Sequence, residues 1–407
     1  MRAILKEGRV NRNIYVLLGL IMNICLGSVY SWSVFRKPLE ETLDLNATQS
    51  GLPYMFFLVF YALFMPIAGR YIDKYGPRIV AIAGGTLVGI GWLVAGFSDN
   101  LLMMTIGYGI IAGSGVGIAY GVPIAVSTRW FEDKKGLAVG LTVLGFGMSP
   151  LVTAPIARRL ITYFGPFVTL RVLGIIFFIV IVSLALFLKF PNQNMRRKNK
   201  EIIKETNSFT RNFTPSEMLR TSTFWYLWLC FVIGTFSGLM AIGISSPVAQ
   251  EIVKLTPEMA ALSVSIFAIF NGLGRPLFGF LTDKISPRYA ALIDFAIIFF
   301  SSLGMLFVKE GSKVLFIIAF SMLWLSLGGW LSIAPTATAK LFGLLHYSKN
   351  YGFLFTGYGV GAVLGNLISG SVRDIFGSYV FNFYITSMLS IIGMIIAFYG
   401  LKQLRKS

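Results

Sequence analysis

Two stretches of this chain share one pattern: residues 69 to 78 read GRYIDKYGPR, and residues 279 to 288 read GFLTDKISPR. Both have the form G-x-x-x-D-K-x-x-P-R, and they lie 210 residues apart. A second pair, LGFG (144–147) and TGYG (356–359), is offset by 212 residues. Self-similarity at a nearly constant offset indicates one structural unit used twice. The chain is therefore predicted to consist of two related halves.

The composition indicates that the repeated unit is embedded in a membrane. Of the 407 residues, 56% are hydrophobic and 13% are charged, which is more apolar surface than one water-soluble core can bury. A membrane-spanning helix needs about 20 mostly apolar residues. Twelve such runs, numbered here as spans one to twelve, are 14–35, 51–70, 79–97, 101–127, 136–157, 167–189, 223–245, 259–281, 289–308, 313–337, 350–371 and 379–401.

These runs predict an all-α membrane protein with twelve transmembrane helices in two pseudo-symmetric six-helix bundles. The longest polar stretch, residues 191–220, has six spans on each side and is interpreted as a linker. The predicted domains are an N-terminal bundle (1–190), a cytoplasmic linker (191–222) and a C-terminal bundle (223–407).

The position of the basic residues sets the orientation. A net charge of +18 would suggest a nucleic-acid partner in a soluble protein. With the N-terminus assigned to the cytoplasm, however, 25 of the 35 Lys and Arg residues fall in cytoplasmic segments, nine fall in outer loops or at the outer ends of spans, and Arg275 falls inside span eight. This positive-inside pattern predicts a multi-pass protein of the cell membrane, inner or plasma, with both termini cytoplasmic and no nucleic-acid partner. The linker charges can contact lipid headgroups, so membrane lipids are expected partners.

The N-terminus raises a separate question, because basic residues precede a long apolar run. That run is too long for a signal peptide and is followed by no clear small-residue cleavage site, so a retained first helix is predicted.

The sequence offers little for metal or covalent chemistry. Cys25 and Cys230 both fall within apolar spans, and the single histidine, His346, lies in a loop. One histidine cannot form a His-based metal cluster. No H-E-x-x-H, G-x-S-x-G or paired-carboxylate motif is present. We therefore expect no metal, no cofactor and no enzymatic activity.

The repeated loop motif carries a family resemblance. Gly69-x-x-x-Asp73-Lys74-x-Gly76-x-Arg78 resembles the loop 2–3 signature of the major facilitator superfamily, and 279–288 is similar to its second copy, with Ser286 in place of the second glycine. Within that superfamily, YSWSVF (30–35), RWFEDKKGLAVG (129–140), NGLGRP (271–276) and NYGFLFTGYG (350–359) are similar to the oxalate/formate antiporter-like and monocarboxylate transporter families. The resemblance covers essentially the whole chain and implies alternating access, in which two bundles rock around a central site.

Both copies of the loop motif are expected to take part in this conformational change. The residues assigned to gating are Gly69, Asp73, Arg78, Asp283 and Arg288. Gly69 would remove a side chain where two helices approach closely, and Asp73 could cap the next helix or pair with basic neighbours. An ordinary positive-inside turn is the alternative.

Glycines recur at spacing four in spans four and eleven, at 109, 113, 117 and 121 and at 357, 361 and 365. This spacing predicts close helix packing.

Arg275 is the most unusual charge in the sequence. It lies eight residues before Asp283, about 12 Å along a helix, which is near the middle of a hydrocarbon core about 30 Å thick. An arginine at that depth costs about 2.5–3.5 kcal/mol and should face a cavity or a partner. The only acid well inside a span, Asp294, lies near the cytoplasmic end of span nine, and the 210-residue repeat places Met65 opposite Arg275, so the fold does not require the charge.

We therefore predict that Arg275 binds an anionic substrate, because a guanidinium holds a carboxylate through two parallel hydrogen bonds. Asn271 lies one turn away on the same helical face and is predicted to belong to the same site.

The resemblance also bears on the size of the anion. It implies a second central cation, a lysine in helix eleven shortly after an Asn-Tyr-Gly stretch. Here Asn350-Tyr351-Gly352 is present, but the corresponding position is Tyr358. One positive charge matches one carboxylate, which favours a monocarboxylate such as lactate, pyruvate, formate or acetate.

Three tyrosines are predicted to donate hydrogen bonds to this substrate: Tyr358, Tyr120 in span four and Tyr30 in span one. For each of them, packing or interfacial anchoring is the alternative.

Transport is predicted to be coupled to protons, although the sequence shows no dedicated proton carrier. Animal monocarboxylate transporters carry an aspartate one turn before the helix-eight arginine and a lysine in helix one, whereas this chain has Asn271 and no lysine in the apolar core of span one. Moving an anion inward against an inside-negative potential costs about 2.3 kcal/mol per 100 mV. Uptake therefore needs a co-transported proton or a counter-anion. An oxalate/formate-type exchanger, or a multidrug or sugar porter of the same superfamily, remains the alternative function.

Overall fold

The computed structural model describes residues 12–131, 134–191, 212–343 and 345–401, without the side chains of Asp73, Lys135 and Ser348. Within these ranges all regular secondary structure is helical. In the part of the chain that the structure describes, eleven helices are long and apolar enough to cross a membrane. One of them bends at Gly165, whose φ of 76° and ψ of 170° are not helical, and it comprises two spans. The predicted twelve-helix fold is therefore confirmed.

The first half contains spans one to six. Span one consists of Asn13–Leu26 and Trp32–Leu43, joined by a 3₁₀ turn at Gly27–Ser31. Spans two and three are Ala47–Tyr75 and Pro77–Gly96. Span four consists of Leu101–Met104, a π-helix at Thr105–Ala112, and Gly113–Trp130. Spans five and six form the bent helix Lys135–Ala185.

The second half repeats this plan. Spans seven to twelve are Ser222–Glu251, Pro257–Lys284, Pro287–Met305, Lys313–Phe342, Tyr347–Phe376 and Phe381–Gly400.

Local sequence explains where the helices begin. The side chain of Asn46 accepts a hydrogen bond from the Gln49 N–H (2.8 Å), and the Gln49 side chain accepts one from the Asn46 N–H (3.0 Å), which forms a capping box at the start of span two. Span eight begins with Thr256 as N-cap and Pro257 as its first residue. Both devices satisfy or remove N–H groups that a helix start leaves unpaired.

The two loop motifs adopt related backbone conformations. In the first copy Gly76, between spans two and three, has a φ of 82° and a ψ of 165°, and Ser286 occupies the matching position in the second copy with a φ of 130° and a ψ of 160°. A positive φ suits glycine and is uncommon for serine. The second copy therefore keeps the shape of the turn even though its residue departs from the motif.

The predicted linker is described only in part, because 192–211 lie outside the described residues. Its C-terminal end packs on the second half. The Phe213 N–H donates to the Phe342 carbonyl (2.9 Å), and the Asn350 side chain donates to the Phe213 carbonyl (3.0 Å). A short helix, Pro215–Leu219, then leads into span seven.

The glycine-rich spans pack closely, as predicted. A Cβ at Gly113 would lie 2.6 Å from the Phe57 carbonyl oxygen, so the backbone of span four lies directly on that of span two. In the second half a Cβ at Gly365 would lie 2.9 Å from the Phe236 carbonyl oxygen, which places span eleven in the same way on span seven.

Candidate functional site

The Arg275 side chain lies between the two halves, and only 6% of its surface is exposed. The neighbouring Gly274 has no room for a Cβ against the Leu325 carbonyl of span ten, so span ten covers that face of span eight. The guanidinium reaches the first half, where its Cζ atom lies 6.0 Å from the ring centre of Phe146. Its Nε atom would lie 3.1 Å from a Cβ at Gly147. A cation from the second half is thus placed against span five of the first.

Aromatic side chains of both halves surround this guanidinium. The rings of Tyr30, Tyr61 and Tyr120 are centred 5.2, 5.8 and 5.1 Å from the ring of Phe146, which the guanidinium also approaches. The Tyr30 hydroxyl lies 3.1 Å from the Tyr358 hydroxyl. The structure therefore brings the three predicted tyrosines together and adds Tyr61, which sequence reasoning missed.

The repeat itself contains the signal for Tyr61. The 210-residue offset makes Tyr61 the counterpart of Asn271, and the 212-residue offset makes Phe146 the counterpart of Tyr358. All four lie close together, since the Tyr61 ring is centred 5.7 Å from the Tyr358 ring and 5.8 Å from the Phe146 ring, and Asn271 Oδ1 lies against Gly147, the residue after Phe146. Mapping a site residue through the repeat would have found this partner.

Asn271 is fully buried and its amide takes part in the packing of the second half. Its Nδ2 donates to the Trp324 carbonyl (3.0 Å), while its Oδ1 has no hydrogen-bond partner among the described residues. The indole of Trp324 in turn donates to the Ser245 hydroxyl (3.0 Å). Asn271 thus fixes span eight to span ten one turn from Arg275, and its unpaired oxygen faces Gly147.

The charge of the central cluster is not balanced by protein groups. Among the described residues no acid pairs with Arg275, and its Nε has no hydrogen-bond partner. A buried charge is costly unless it is paired. The hydroxyls of Tyr30 and Tyr120 can donate hydrogen bonds beside the cation, and Tyr120 is only half-buried. The cluster therefore has the chemistry of an anion site.

The outer ends of the two halves, opposite both termini in the predicted orientation, are held together by Asp374. Its carboxylate accepts hydrogen bonds from the N–H groups of Ala47 and Thr48 (2.9 Å each) and from the Thr48 hydroxyl (2.5 Å). These groups form the first turn of span two, where a negative charge is favourable. A carboxylate of span eleven therefore caps a helix of the opposite half.

Ion pairs strengthen the same closure. Glu251 of span seven pairs with Lys37 of the first half and with Arg373 of its own half. Arg158 of span five pairs with Glu258 at the start of span eight (3.0 Å). We refer to these contacts and those of Asp374 as the outer closure.

Arg36 is a buried cation that the sequence analysis placed in an outer loop. The helix of span one continues to Leu43, so Arg36 is only 1% exposed. Its Nε donates to the Ser50 hydroxyl (2.9 Å), Nη1 to the Gly243 carbonyl of the second half (3.1 Å), and Nη2 to the Ala47 carbonyl. Unlike Arg275, it has its hydrogen bonds satisfied and belongs to the outer closure.

The inner ends are less tightly joined, which corrects one prediction. A Cβ at Gly69 or at Gly140 would meet no atom within 4 Å, whereas a Cβ at Gly370 near the outer end would lie 2.5 Å from the Thr48 Cα. The expectation of close helix approach at Gly69 is therefore wrong for this conformation. The space beside Gly69 is open in this conformation, although Gly352 of span eleven packs on Pro66 of span two, one turn away.

The other predicted gating residues lie at the inner surface. Asp283 pairs with Lys340 (3.1 Å), and the guanidinium of Arg288 lies 4.1 Å from the ring centre of Phe398. Arg78 is exposed, and the side chain of Asp73 lies outside the described residues. Their gating role stays a prediction.

The fold and the central site together define a membrane transporter, and comparison with known proteins names its family. The family model described as Major Facilitator Superfamily matches residues 16–343 and, in a second match, 236–406. The chain belongs to the major facilitator superfamily, as the loop motifs indicated.

Similarity to individual proteins extends over nearly the full length. The chain is 30% identical over 393 residues to the oxalate:formate antiporter of Oxalobacter formigenes, with 95% of this chain and 91% of that protein covered. It is 22% identical over 407 residues to human monocarboxylate transporter 14, with 81% and 78% covered. Among solved structures, a bacterial homologue of the human lysosomal transporter Spinster, in an inward-facing and occupied conformation, is 16% identical with a TM-score of 0.74 and 98% of both chains covered. The last similarity shows the fold.

Proposed function

We propose that this protein transports small monocarboxylates of the lactate, pyruvate, formate or acetate class across the cell membrane by alternating access, with both termini in the cytoplasm. The observation that carries the proposal is the buried Arg275, whose charge no described acid neutralises. A carboxylate bound there would supply the missing negative charge and would accept two parallel hydrogen bonds from the guanidinium.

The number of charges at the site supports one carboxylate rather than two. In the described structure the rings grouped around the guanidinium belong to Phe146, Tyr30, Tyr61 and Tyr120, and none of these side chains is a second cation. Tyr358, which stands where the resemblance implies a lysine, is fully buried and its hydroxyl lies beside that of Tyr30. A dicarboxylate would leave one of its charges without a cationic partner, which is costly inside a membrane.

Domain organisation follows from the same mechanism. We propose that 1–190 and 223–407 move as the two bundles, joined by the linker 191–222. The outer closure would break and the inner ends would join in the opposite state. A substrate that bridges Arg275 of one half and Tyr30 or Tyr120 of the other would bind both bundles at once.

An oxalate/formate-type exchanger is the second candidate. The similarity to the oxalate:formate antiporter over 95% of the chain favours it. The two candidates differ in the preferred anion, so one binding experiment separates them.

The experiment is a thermal-stability assay on the purified protein in detergent, because a ligand that binds only the folded state raises apparent stability with its concentration. The panel contains L-lactate, D-lactate, pyruvate, formate, acetate, oxalate, one sugar and one cationic drug. Arg275→Met keeps the bulk and removes the charge, and Arg275→Lys keeps the charge and removes the fork of donors. Arg171→Met, at the outer end of span six, is the matched control.

We expect a monocarboxylate to stabilise the wild type and Arg171→Met. Loss of a buried charge-assisted pair costs about 2–5 kcal/mol, so Arg275→Met should bind at least about 30-fold more weakly, with Arg275→Lys between the two. Preferential stabilisation by oxalate would favour the exchanger instead. A response to the sugar or the drug alone would refute both candidates.

A further inference from the structure

Asp294 is a second ionisable group inside the second half, apart from the central cluster. It lies seven residues after Pro287, the first residue of span nine, about 10 Å along the helix. Its exposure is 0%, and neither of its carboxyl oxygens has a hydrogen-bond partner in the described structure. The sequence placed this residue close to the cytoplasmic end of the span, but the structure encloses it completely.

The surroundings of the carboxyl group are mostly apolar. It lies against the backbone of Gly329, where there is no room for a Cβ, and near the ring of Phe278, which packs on the same glycine. Its polar neighbours are the Ser326 hydroxyl and the Trp330 indole N–H of span ten. Neither makes a hydrogen bond of ordinary geometry with it in this conformation, so the two donors are close but unused.

No charged side chain described in this structure contacts the carboxyl group. On span eight, the Arg275 guanidinium points away to Phe146. On span nine itself, Arg288 lies over Phe398 of span twelve, and on span ten Lys340 pairs with Asp283 at the inner end.

The remaining neighbours are no more able to neutralise it. Span seven contributes the thiol of Cys230, which lies 3.9 Å from the Gly393 carbonyl of span twelve. Span twelve packs on span nine through Gly393 against the ring of Phe295. An unpaired carboxylate in such a place is strongly disfavoured, so Asp294 carries a proton in this conformation.

The fold does not require a carboxyl group at this position. The 210-residue repeat places Gly84 of span three opposite Asp294. A Cβ at Gly84 would lie 2.7 Å from the Gly115 carbonyl oxygen, so span three packs on span four with no side chain at all. In the second half, span nine instead encloses the ionisable Asp294 at the equivalent contact with span ten.

One helical segment connects Asp294 to the central cluster. Gly328 of span ten lies against the backbone of span eight between Asn271 and Arg275, and the next residue, Gly329, lies against Asp294. The hydrogen bond from Asn271 to the Trp324 carbonyl fixes span eight to the same segment. A movement of span ten that accompanies substrate binding must therefore change the surroundings of the carboxyl group.

We propose that Asp294 is the proton-binding site that couples transport to a proton gradient; this inference rests on the proposed function. Asp294 takes up one proton from water on the outer side and is enclosed in its neutral form. It releases that proton on the inner side when repacking of span ten brings water, Ser326 and Trp330 to the carboxylate. One proton then moves with one monocarboxylate, and the net charge carried is zero.

The test uses the full-length protein in proteoliposomes, with radiolabelled L-lactate and, in parallel, pyruvate and formate. Two activities are measured: exchange of labelled for unlabelled anion at equal pH, and accumulation driven by an inward proton gradient, with a pH dye to record proton uptake. The variants are Asp294→Asn, which resembles the protonated acid, Asp294→Glu, which stays ionisable, and Asp99→Asn as an exposed control in an outer loop.

We expect Asp294→Asn to keep exchange within about twofold of the wild type and to lose at least tenfold in gradient-driven accumulation and anion-dependent proton uptake. Asp99→Asn should retain both activities. Wild-type levels of accumulation and proton uptake in Asp294→Asn would overturn the proposal.

If Asp294→Asn does not fold, the proposal is tested instead by the pH dependence of anion uptake in Asp294→Glu, compared with the wild type. A shifted midpoint for uptake supports the proposal, and an unchanged midpoint overturns it. If the wild type exchanges the anions but takes up no protons with them when the inward proton gradient is applied, this inference alone is refuted. A wild type that neither binds nor exchanges any of the three anions would refute the proposed function.

Discussion

Removal of the Asp374 carboxylate should open the outer side of the protein. This carboxylate accepts three hydrogen bonds from the first turn of span two, two from N–H groups and one from the Thr48 hydroxyl. In Asp374→Ala those donors lose their acceptor in the outer-closed state only, because the two helix ends are apart when the outer side is open. The substitution therefore destabilises one conformation relative to the other.

The size of the effect follows from the exposure of the contact. A buried hydrogen bond to a charged group contributes about 1.5–3 kcal/mol, but Asp374 is exposed, and exposed ion pairs contribute only about 0.2–1 kcal/mol. Three bonds at about 0.7 kcal/mol each amount to about 2 kcal/mol. That difference changes the ratio of outer-closed to outer-open molecules by about 30-fold.

The assay is a distance measurement by electron spin resonance between labels on the two halves. The two native cysteines, Cys25 and Cys230, are buried and are both replaced by serine. New cysteines at Glu41 and Phe376, two exposed outer positions, then carry one pair of labels.

Asp374→Ala should add a population of longer distances, and Glu310→Ala, an exposed acid on the same side, should not. Identical distance distributions for the wild type and both variants would refute the assignment of Asp374 to the outer closure.

Three further predictions concern packing and selectivity. Gly328→Ala should lower the melting temperature in detergent by several degrees, because a Cβ there collides with the backbone of span eight and overpacking costs about 1–3 kcal/mol. The control Gly69→Ala, which places its Cβ in open space, should change the stability by less than about 1 kcal/mol. Equal losses of stability in the two variants would contradict the packing argument. Arg36→Met should lower the free energy of unfolding by about 2–4 kcal/mol in chemical unfolding, since three acceptors lose their donor. An unchanged free energy of unfolding would show that the buried guanidinium contributes nothing to the outer closure. Tyr358→Lys should raise the affinity for oxalate relative to lactate at least tenfold in a calorimetric titration, because a second cation then meets the second carboxylate. An unchanged ratio of the two affinities would refute the argument that a single cation makes the site selective for monocarboxylates.

Much of the architecture was predictable because it depends on hydrophobicity and on the spacing of residues along the chain. The length of an apolar run determines whether a helix can cross the membrane, so twelve spans were found without knowing their neighbours. The repeat at 210 residues predicted two equivalent halves. Arg275 stood out for the same reason, since a charge in the middle of an apolar run is visible in the sequence alone.

The details of the site depended on neighbours that are distant in sequence. Arg36 and Asp374 border apolar runs and read as ordinary loop charges, yet one is fully buried and the other caps a helix of the opposite half. Gly69 matched a motif, but whether a helix lies against it depends on the conformation. None of these properties can be read from local composition.

The sequence by itself determined the membrane-spanning fold, its duplication and the presence of one deeply buried cation, because each follows from hydrophobicity and spacing along the chain. Only the tertiary structure decided which polar groups are satisfied. It gave Arg36 three acceptors, left Nε of Arg275 without one, and enclosed Asp294 behind Gly329. The physical reason is that the cost of a buried charge depends on the partners that packing brings to it.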